Sequence, residues 1–162
     1  MAPASEQLIG SLSWDIAAIN SQLENIRRIW AQVLGLSGPQ WLILMAINDL
    51  DPGIGVSVGD VSAKLNVRST FVTTETKMLE KSGFVTRTPS ETDGRIVLMS
   101  LTDRARREIA HLSAQRNKMN ETIFADLPDE RLSDVATTLS LIRRRMERAA
   151  LQLQLDRNNP DA

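Results

Sequence analysis

The chain contains no cysteine. Disulfides, thiol redox sensing and cysteine-based metal sites are therefore excluded. It has one histidine, His111, too few for an imidazole-rich zinc site, so neither a metal nor a cofactor is expected. No run approaches the roughly 18 apolar residues of a membrane span. The N-terminal stretch lacks the basic region and apolar run of a signal peptide. The expectation is a cytoplasmic protein without a membrane partner. A single His, no Cys and no carboxylate pair set against a nucleophile leave nothing for acid–base or covalent catalysis, so an enzyme is not expected.

What is present is a foldable, nearly neutral chain of 162 residues, 42% hydrophobic and 24% charged, with a formal net charge of −1. That length suits one domain, or one domain with an added oligomerisation element. The charge is unevenly spread. Residues 1–59 hold two Arg against five Asp or Glu, residues 60–107 nine Lys or Arg against six acids, and residues 108–162 eight against nine. A basic middle can attract phosphates even in a slightly acidic protein, although ordinary surface variation produces similar splits.

Leu12, Ile16, Ile19, Leu23, Ile26, Trp30 and Val33 recur at spacings of three and four, an apolar seam on a long helix that ends near Gly35. Ser37 and Gln40 form a capping box for a second helix bearing Trp41, Leu44, Met45 and Ile47, stopped by Asp51-Pro52-Gly53. Ser57 and Asp60 offer another box for a short helix. A turn over Asn66-Val67-Arg68 leads to Ser69, read as the cap of a helix that Gly83 breaks. Two β-prone runs, 84–88 and 95–100, flank the polar loop 89–94 and predict a hairpin. Thr102 caps a helix with Ala105, Ile109, Leu112, Met119 and Ile123, and Pro128 suits the first turn of a last one.

Two short helices joined by a tight turn and followed by a hairpin describe a winged helix-turn-helix. The fold class is mainly α with a small β-hairpin wing and N- and C-terminal dimerisation helices. The domains run 8–36 (N-terminal dimerisation helix), 37–101 (winged lobe) and 102–155 (long C-terminal helices). The second short helix can enter a major groove about 12 Å wide. Its candidate DNA-facing residues are Arg68, Ser69, Thr70, Thr73, Thr74 and Lys77, with Val72, Met78 and Leu79 as anchors and Phe71 assignable to either set. Ser and Thr can bond base edges or phosphates, whereas Arg68 and Lys77 suit phosphates. On the hairpin, Arg87, Asp93 and Arg95 are further candidates. Asp93 can hold the backbone of the tip or pair with Arg95, which can reach a minor groove; a solvated Asp/Arg pair is the bland alternative.

The terminal seams can complete a monomer core or interdigitate with a second copy. A two-fold dimer would set two reading helices about 34–36 Å apart and match a palindromic site in double-stranded DNA. Arg143, Arg144, Arg145 and Arg148 can be solvated or pair across such a dimer.

Residues 37–107 resemble the MarR family of winged helix-turn-helix regulators, and the helical order extends the likeness over about residues 8–150. The resemblance rests on Ser57-Val58-Gly59-Asp60-Val61-Ser62-Ala63-Lys64-Leu65, then Phe71-Val72-Thr73, then Leu79-Glu80-Lys81-Ser82-Gly83-Phe84-Val85. Asp93-Gly94-Arg95 and Leu101-Thr102 complete it. It implies a homodimer bound to a palindromic promoter site, usually repressing and less often activating. It also implies release by a small aromatic or carboxylate-bearing effector, or by a coenzyme A thioester. Relatives often carry an Arg soon after the Val-Thr pair, where this chain has Thr74-Glu75-Thr76, so the operator sequence does not transfer.

An effector needs a partly apolar cleft with convergent polar groups. The first helix, the second and the one after the wing supply Trp14, Arg27, Trp30, Trp41, Met45 and His111 as candidates: Trp for stacking, Arg for a carboxylate or phosphate. Core or dimer packing is the competing role for each. A regulator that responds to no ligand, and a protein-interaction module that reads no DNA, are the remaining alternatives.

Overall fold

The computed structural model describes residues 5–158 and divides into two compact units between Leu112 and Ser113. The first unit holds α1 (Glu6–Val33), α2 (Gly38–Leu50), β1 (Val56–Ser57), α3 (Val58–Leu65), α4 (Ser69–Lys81), β2 (Val85–Pro89), β3 (Val97–Leu101) and α5 (Asp103–His111). The second holds α6 (Ser113–Ile123) and α7 (Asp129–Asn158). The expected mainly helical winged helix-turn-helix is present. No single helix among the described residues is long and apolar enough to cross a membrane.

Local chemistry sets the boundaries. At the end of α1, Gly35 adopts φ +68° and Leu36 N–H reaches back to the Ala31 carbonyl at 2.8 Å, a closure open to a residue without Cβ. The Ser37/Gln40 box forms in both directions, at 3.2 and 3.0 Å, and launches α2. α2 is the centre of the core: Ile43, Leu44 and Ile47 are fully buried, with Val61 of α3, Val72 and Leu79 of α4 and Met99 of β3 equally sealed. Ala105 and Ile109 seat α5 on the same core.

After α2 the Asp51 carboxylate organises the chain. Its Oδ1 accepts from Gly53 N–H at 2.8 Å and Gly55 N–H at 2.7 Å. This Asx-type closure delivers β1 to the edge of β3, Val56 opposite Met99, in a three-stranded antiparallel sheet of order β1-β3-β2. Strand β1 went unforeseen because two residues carry no alternation to read. Gly55 sits at φ +90°, and a Cβ there would lie 3.0 Å from that of Leu98.

Three local expectations need correction. At α3 the Ser57 hydroxyl accepts from Asp60 N–H at 3.1 Å but donates to the Asp60 carboxylate at 2.7 Å, so the acid bonds the hydroxyl of its partner. Ser69 is the first residue of α4, not its cap; Arg68 holds the cap position without a side-chain bond. The single helix expected after Thr102 is two. Thr102 does cap α5, accepting from Ala105 N–H at 3.1 Å, but the helix stops at Leu112. Leu112 is the last buried apolar residue, and Ser113–Lys118 offers no large apolar side chain to continue the packing.

In the second unit Pro128 immediately precedes α7, and Leu132 N–H bonds its carbonyl at 3.1 Å. Arg143 pairs with Glu147 one turn on, at 2.8 Å.

Candidate nucleic-acid interface

A helix that reads DNA needs one face fixed in the protein and the opposite face free. In α4 the buried residues are Val72, Thr76 and Leu79, spaced i, i+4, i+7. Advancing about 100° per residue puts Thr70, Thr74, Lys77 and Lys81 on the opposite stripe, and all four are exposed. Lys81 escaped the sequence reading, although its place four residues after Lys77 marks it. Thr73 lies on the flank of this stripe and is half-buried. Ser69 is exposed and its hydroxyl donates to Ser62 Oγ at 3.2 Å, while Ser62 donates to the Val67 carbonyl. These bonds and the left-handed Asn66 (φ 52°) fix the turn between α3 and α4.

Thr74 Oγ1 donates to the Thr70 carbonyl at 3.0 Å, which leaves its lone pairs as acceptors. Arg68 is exposed at the head of α4. Two anchors are placed differently from expectation: Met78 is 50% exposed and Phe71 39% exposed, both on the flank away from Thr73. Met78 Sδ accepts instead from the Gln40 amide at 3.8 Å. Glu75, half-buried on that flank, is off the Thr70–Lys81 stripe.

The wing pairs Val85 with Leu101 through Pro89 with Val97. At its tip Asp93 Oδ1 accepts from Arg95 N–H at 3.0 Å, and Ile96 N–H bonds the Asp93 carbonyl at 2.9 Å. Asp93 thus holds the backbone, and no Asp93–Arg95 ion pair exists among the described residues. The exposed Arg95 guanidinium is left without an internal counter-charge. Arg87 departs from its expected role. It shares the inward face of β2 with buried Val85, its side chain is 11% exposed, and its Nη1 lies 4.0 Å from Glu80 of α4. Strand alternation was the available signal: 85 and 87 face the same way.

The six effector candidates do not converge. Trp41 is core, Trp30 and Met45 pack half-buried against the core, and Trp14 and His111 are exposed. Only Arg27 among them lines the main cavity, about 830 Å³, between the second half of α1, the start of α2 and the α3–α4 turn. Its floor is Leu42, Ile43, Leu65, Val67 and Phe71, and Arg28 adds a second guanidinium. No residue of α5 takes part. The cavity could not be read from sequence because it is made by the packing angle of α1, not by a local pattern.

A sequence profile of the MarR family matches residues 34–96. The HTH-type transcriptional regulator YfiV of Bacillus subtilis is 32% identical over 117 residues, spanning 72% of this chain and 71% of YfiV. A MarR protein from Peptoclostridium difficile superposes with a TM-score of 0.73 at 20% identity, covering 94% of this chain and 98% of its own. CouR from Rhodococcus jostii, solved bound to p-coumaroyl-CoA, gives a TM-score of 0.72 at 20% identity, covering 85% and 95%. Profile, relative and fold agree with the helix-turn-helix and wing described above, and the chain belongs to the MarR family of transcriptional regulators.

Proposed function

We propose that the protein is a cytoplasmic, sequence-specific repressor that binds a palindromic promoter site as a homodimer and is released by a small effector. The observation that carries the DNA reading is the division of α4: Val72, Thr76 and Leu79 sealed on one face, Thr70, Thr74, Lys77 and Lys81 free on the other. Arg95 on a braced wing tip supplies a second contact. Thr70, Thr73 and Thr74 read base edges, with Ser69 at the edge of the contact; Arg68 and Lys77 hold phosphates; Asp93 presents Arg95. Arg87 braces α4 through Glu80 and touches no DNA.

Dimerisation is supported by apolar residues that the described chain leaves uncovered. Leu12, Ile19, Leu23 and Val33 of α1 and Val135, Leu139, Met146 and Leu153 of α7 are all exposed. Surfaces of this size and polarity are buried in oligomers. Residues 8–36 and 102–155 then form the dimerisation region, and 37–101 the reading lobe.

The effector reading rests on the cavity between α1, α2 and the α3–α4 turn. An apolar floor with Arg27 and Arg28 suits an amphipathic organic anion. CouR, solved with p-coumaroyl-CoA, makes aromatic acids and their thioesters the first compounds to screen. Phe71 belongs both to the floor and to α4, so an occupant that favours one position of that turn shifts operator affinity.

Equilibrium binding to the protein's own upstream intergenic DNA and to a scrambled duplex, at several salt concentrations, tests the function. A strong preference for the native fragment, two chains per site and a steep salt dependence are expected. Equal weak binding to all genomic sequence in a selection would overturn it. A compound that binds the protein while leaving operator affinity unchanged would remove effector release. Thr73→Ala is expected to cost the operator about tenfold and random duplex much less, in line with the ~1–3 kcal/mol of a base contact. Equal losses on both would make Thr73 a positioning contact.

A further inference from the structure

The two ends of α4 are held differently. At its start, the cap position is Arg68, which makes no capping bond. At its end, every backbone closure is doubled by a side chain from the beginning of α5. The Gly83 and Phe84 N–H groups close the last turn on the Glu80 and Leu79 carbonyls, at 3.0 and 2.9 Å, with Gly83 at φ +74°. The carbonyls that a helix end cannot satisfy itself are then taken up from α5. Arg104 Nη1 donates to the Ser82 carbonyl at 3.0 Å, and Thr102 Oγ1 donates to that of Gly83 at 2.8 Å. The Arg104 guanidinium also lies over the ring of buried Phe84, 4.6 Å from its centroid, a cation–π contact that fixes the plane of the fork.

We propose that Arg104 is a positioning residue for operator recognition: it sets the angle of α4 from its C-terminal end without touching DNA. This rests on the reading of α4 as the DNA-reading helix. The lever is long. A helix of 13 residues spans about 20 Å, so a tilt of about 5° at one end moves the other by roughly 1.7 Å. Hydrogen bonds to base edges tolerate a few tenths of an ångström, and base contacts concentrate at the N-terminal part of a reading helix. Loosening the Ser82–Gly83 end therefore misplaces Thr70, Thr73 and Thr74.

The rival role for an exposed arginine is a direct phosphate contact, and charge separates the two. Arg104→Gln removes the charge but keeps a donor for the Ser82 carbonyl; Arg104→Ala removes both. For the full-length alanine variant, operator affinity is expected to fall about tenfold, the scale of one lost charge-assisted hydrogen bond. The slope of log affinity against log salt stays at the wild-type value. Amides of Ser82, Gly83 and Phe84 exchange about tenfold faster, while those of Ile43, Leu44 and Ile47 in α2 keep their rates. Glutamine recovers most of both losses.

A salt slope shallower by about 0.9 in both variants would make Arg104 a phosphate contact and overturn the proposal. So would unchanged exchange at the end of α4, or exchange that rises equally in α2, which reports general loosening. Wild-type protein that prefers no duplex removes the reading of α4 itself. An operator bound by wild type and Arg104→Ala alike removes only this inference.

Discussion

Asp51→Ala is expected to lower the unfolding free energy by about 2–4 kcal/mol at neutral pH, the range for a buried charge network that loses one member. The carboxylate side chain is 2% exposed and takes two backbone N–H bonds through one oxygen, while Arg106 Nη2 lies 3.7 Å from the other. Removing it orphans the Gly53 and Gly55 donors and a partly covered guanidinium together. Burial alone would raise the carboxyl's pKa. The Gly53 and Gly55 bonds, the Ser100 hydroxyl and Arg106 outweigh it and hold the pKa below the ordinary 3.8. A depressed folded-state pKa stabilises above the unfolded value, and that contribution fades as pH falls through the folded one. Asp51→Asn has no such titration. Urea unfolding at pH 7 and at progressively lower pH below 3.8 is therefore expected to show the gap between wild type and Asp51→Asn closing with acid. A gap that stays constant would mean that the charge of Asp51 contributes nothing.

Arg95→Ala is expected to weaken operator binding by about 30- to 100-fold, since each protomer of a dimer loses roughly 1–1.4 kcal/mol at its wing. The thermal melt is expected to stay close to that of wild type. The reasoning is geometric. The Asp93 carboxylate is bound to the Arg95 amide at 3.0 Å, so it shapes the tip without neutralising the side chain. An exposed arginine with no internal counter-ion carries its full charge into a narrow, electronegative minor groove. Operator affinity by fluorescence anisotropy, with a circular dichroism melt on the same sample, checks it. Unchanged affinity would remove the wing arginine from the interface.

Much of this architecture was legible because it is written in local chemistry. Ser37 and Gln40 must sit three apart to cap each other, Gly83 is the residue that accepts the left-handed closure of α4, and Asp93-Gly94-Arg95 makes a turn wherever it falls. What escaped depends on tertiary packing. Met78 follows the helical period but lies on the flank of the buried row, 50% exposed beside Gln40. Arg87 looked like a wing cation, and only its register with Val85 turns it toward Glu80. The two-residue β1 exists because Asp51 folds the preceding loop, a cause outside the strand. The scattering of Trp14, Trp30, Trp41 and His111 has the same origin, since distance in space between helices is not encoded in their individual periods.

The sheet order β1-β3-β2 also bears on solubility at high concentration. A hairpin that must project from its lobe presents unpaired strand edges, the usual template for intermolecular β-pairing and fibre growth. Here the longest strand pair is flanked so that neither edge offers a useful template. On one side β1 covers β3 for two residues and then turns into α3. On the other, β2 is five residues long, interrupts its apolar character with Thr86, Arg87 and Thr88, and ends on Pro89, which has no N–H to donate. The wing can therefore stand out far enough to meet a groove while remaining a poor seed for aggregation.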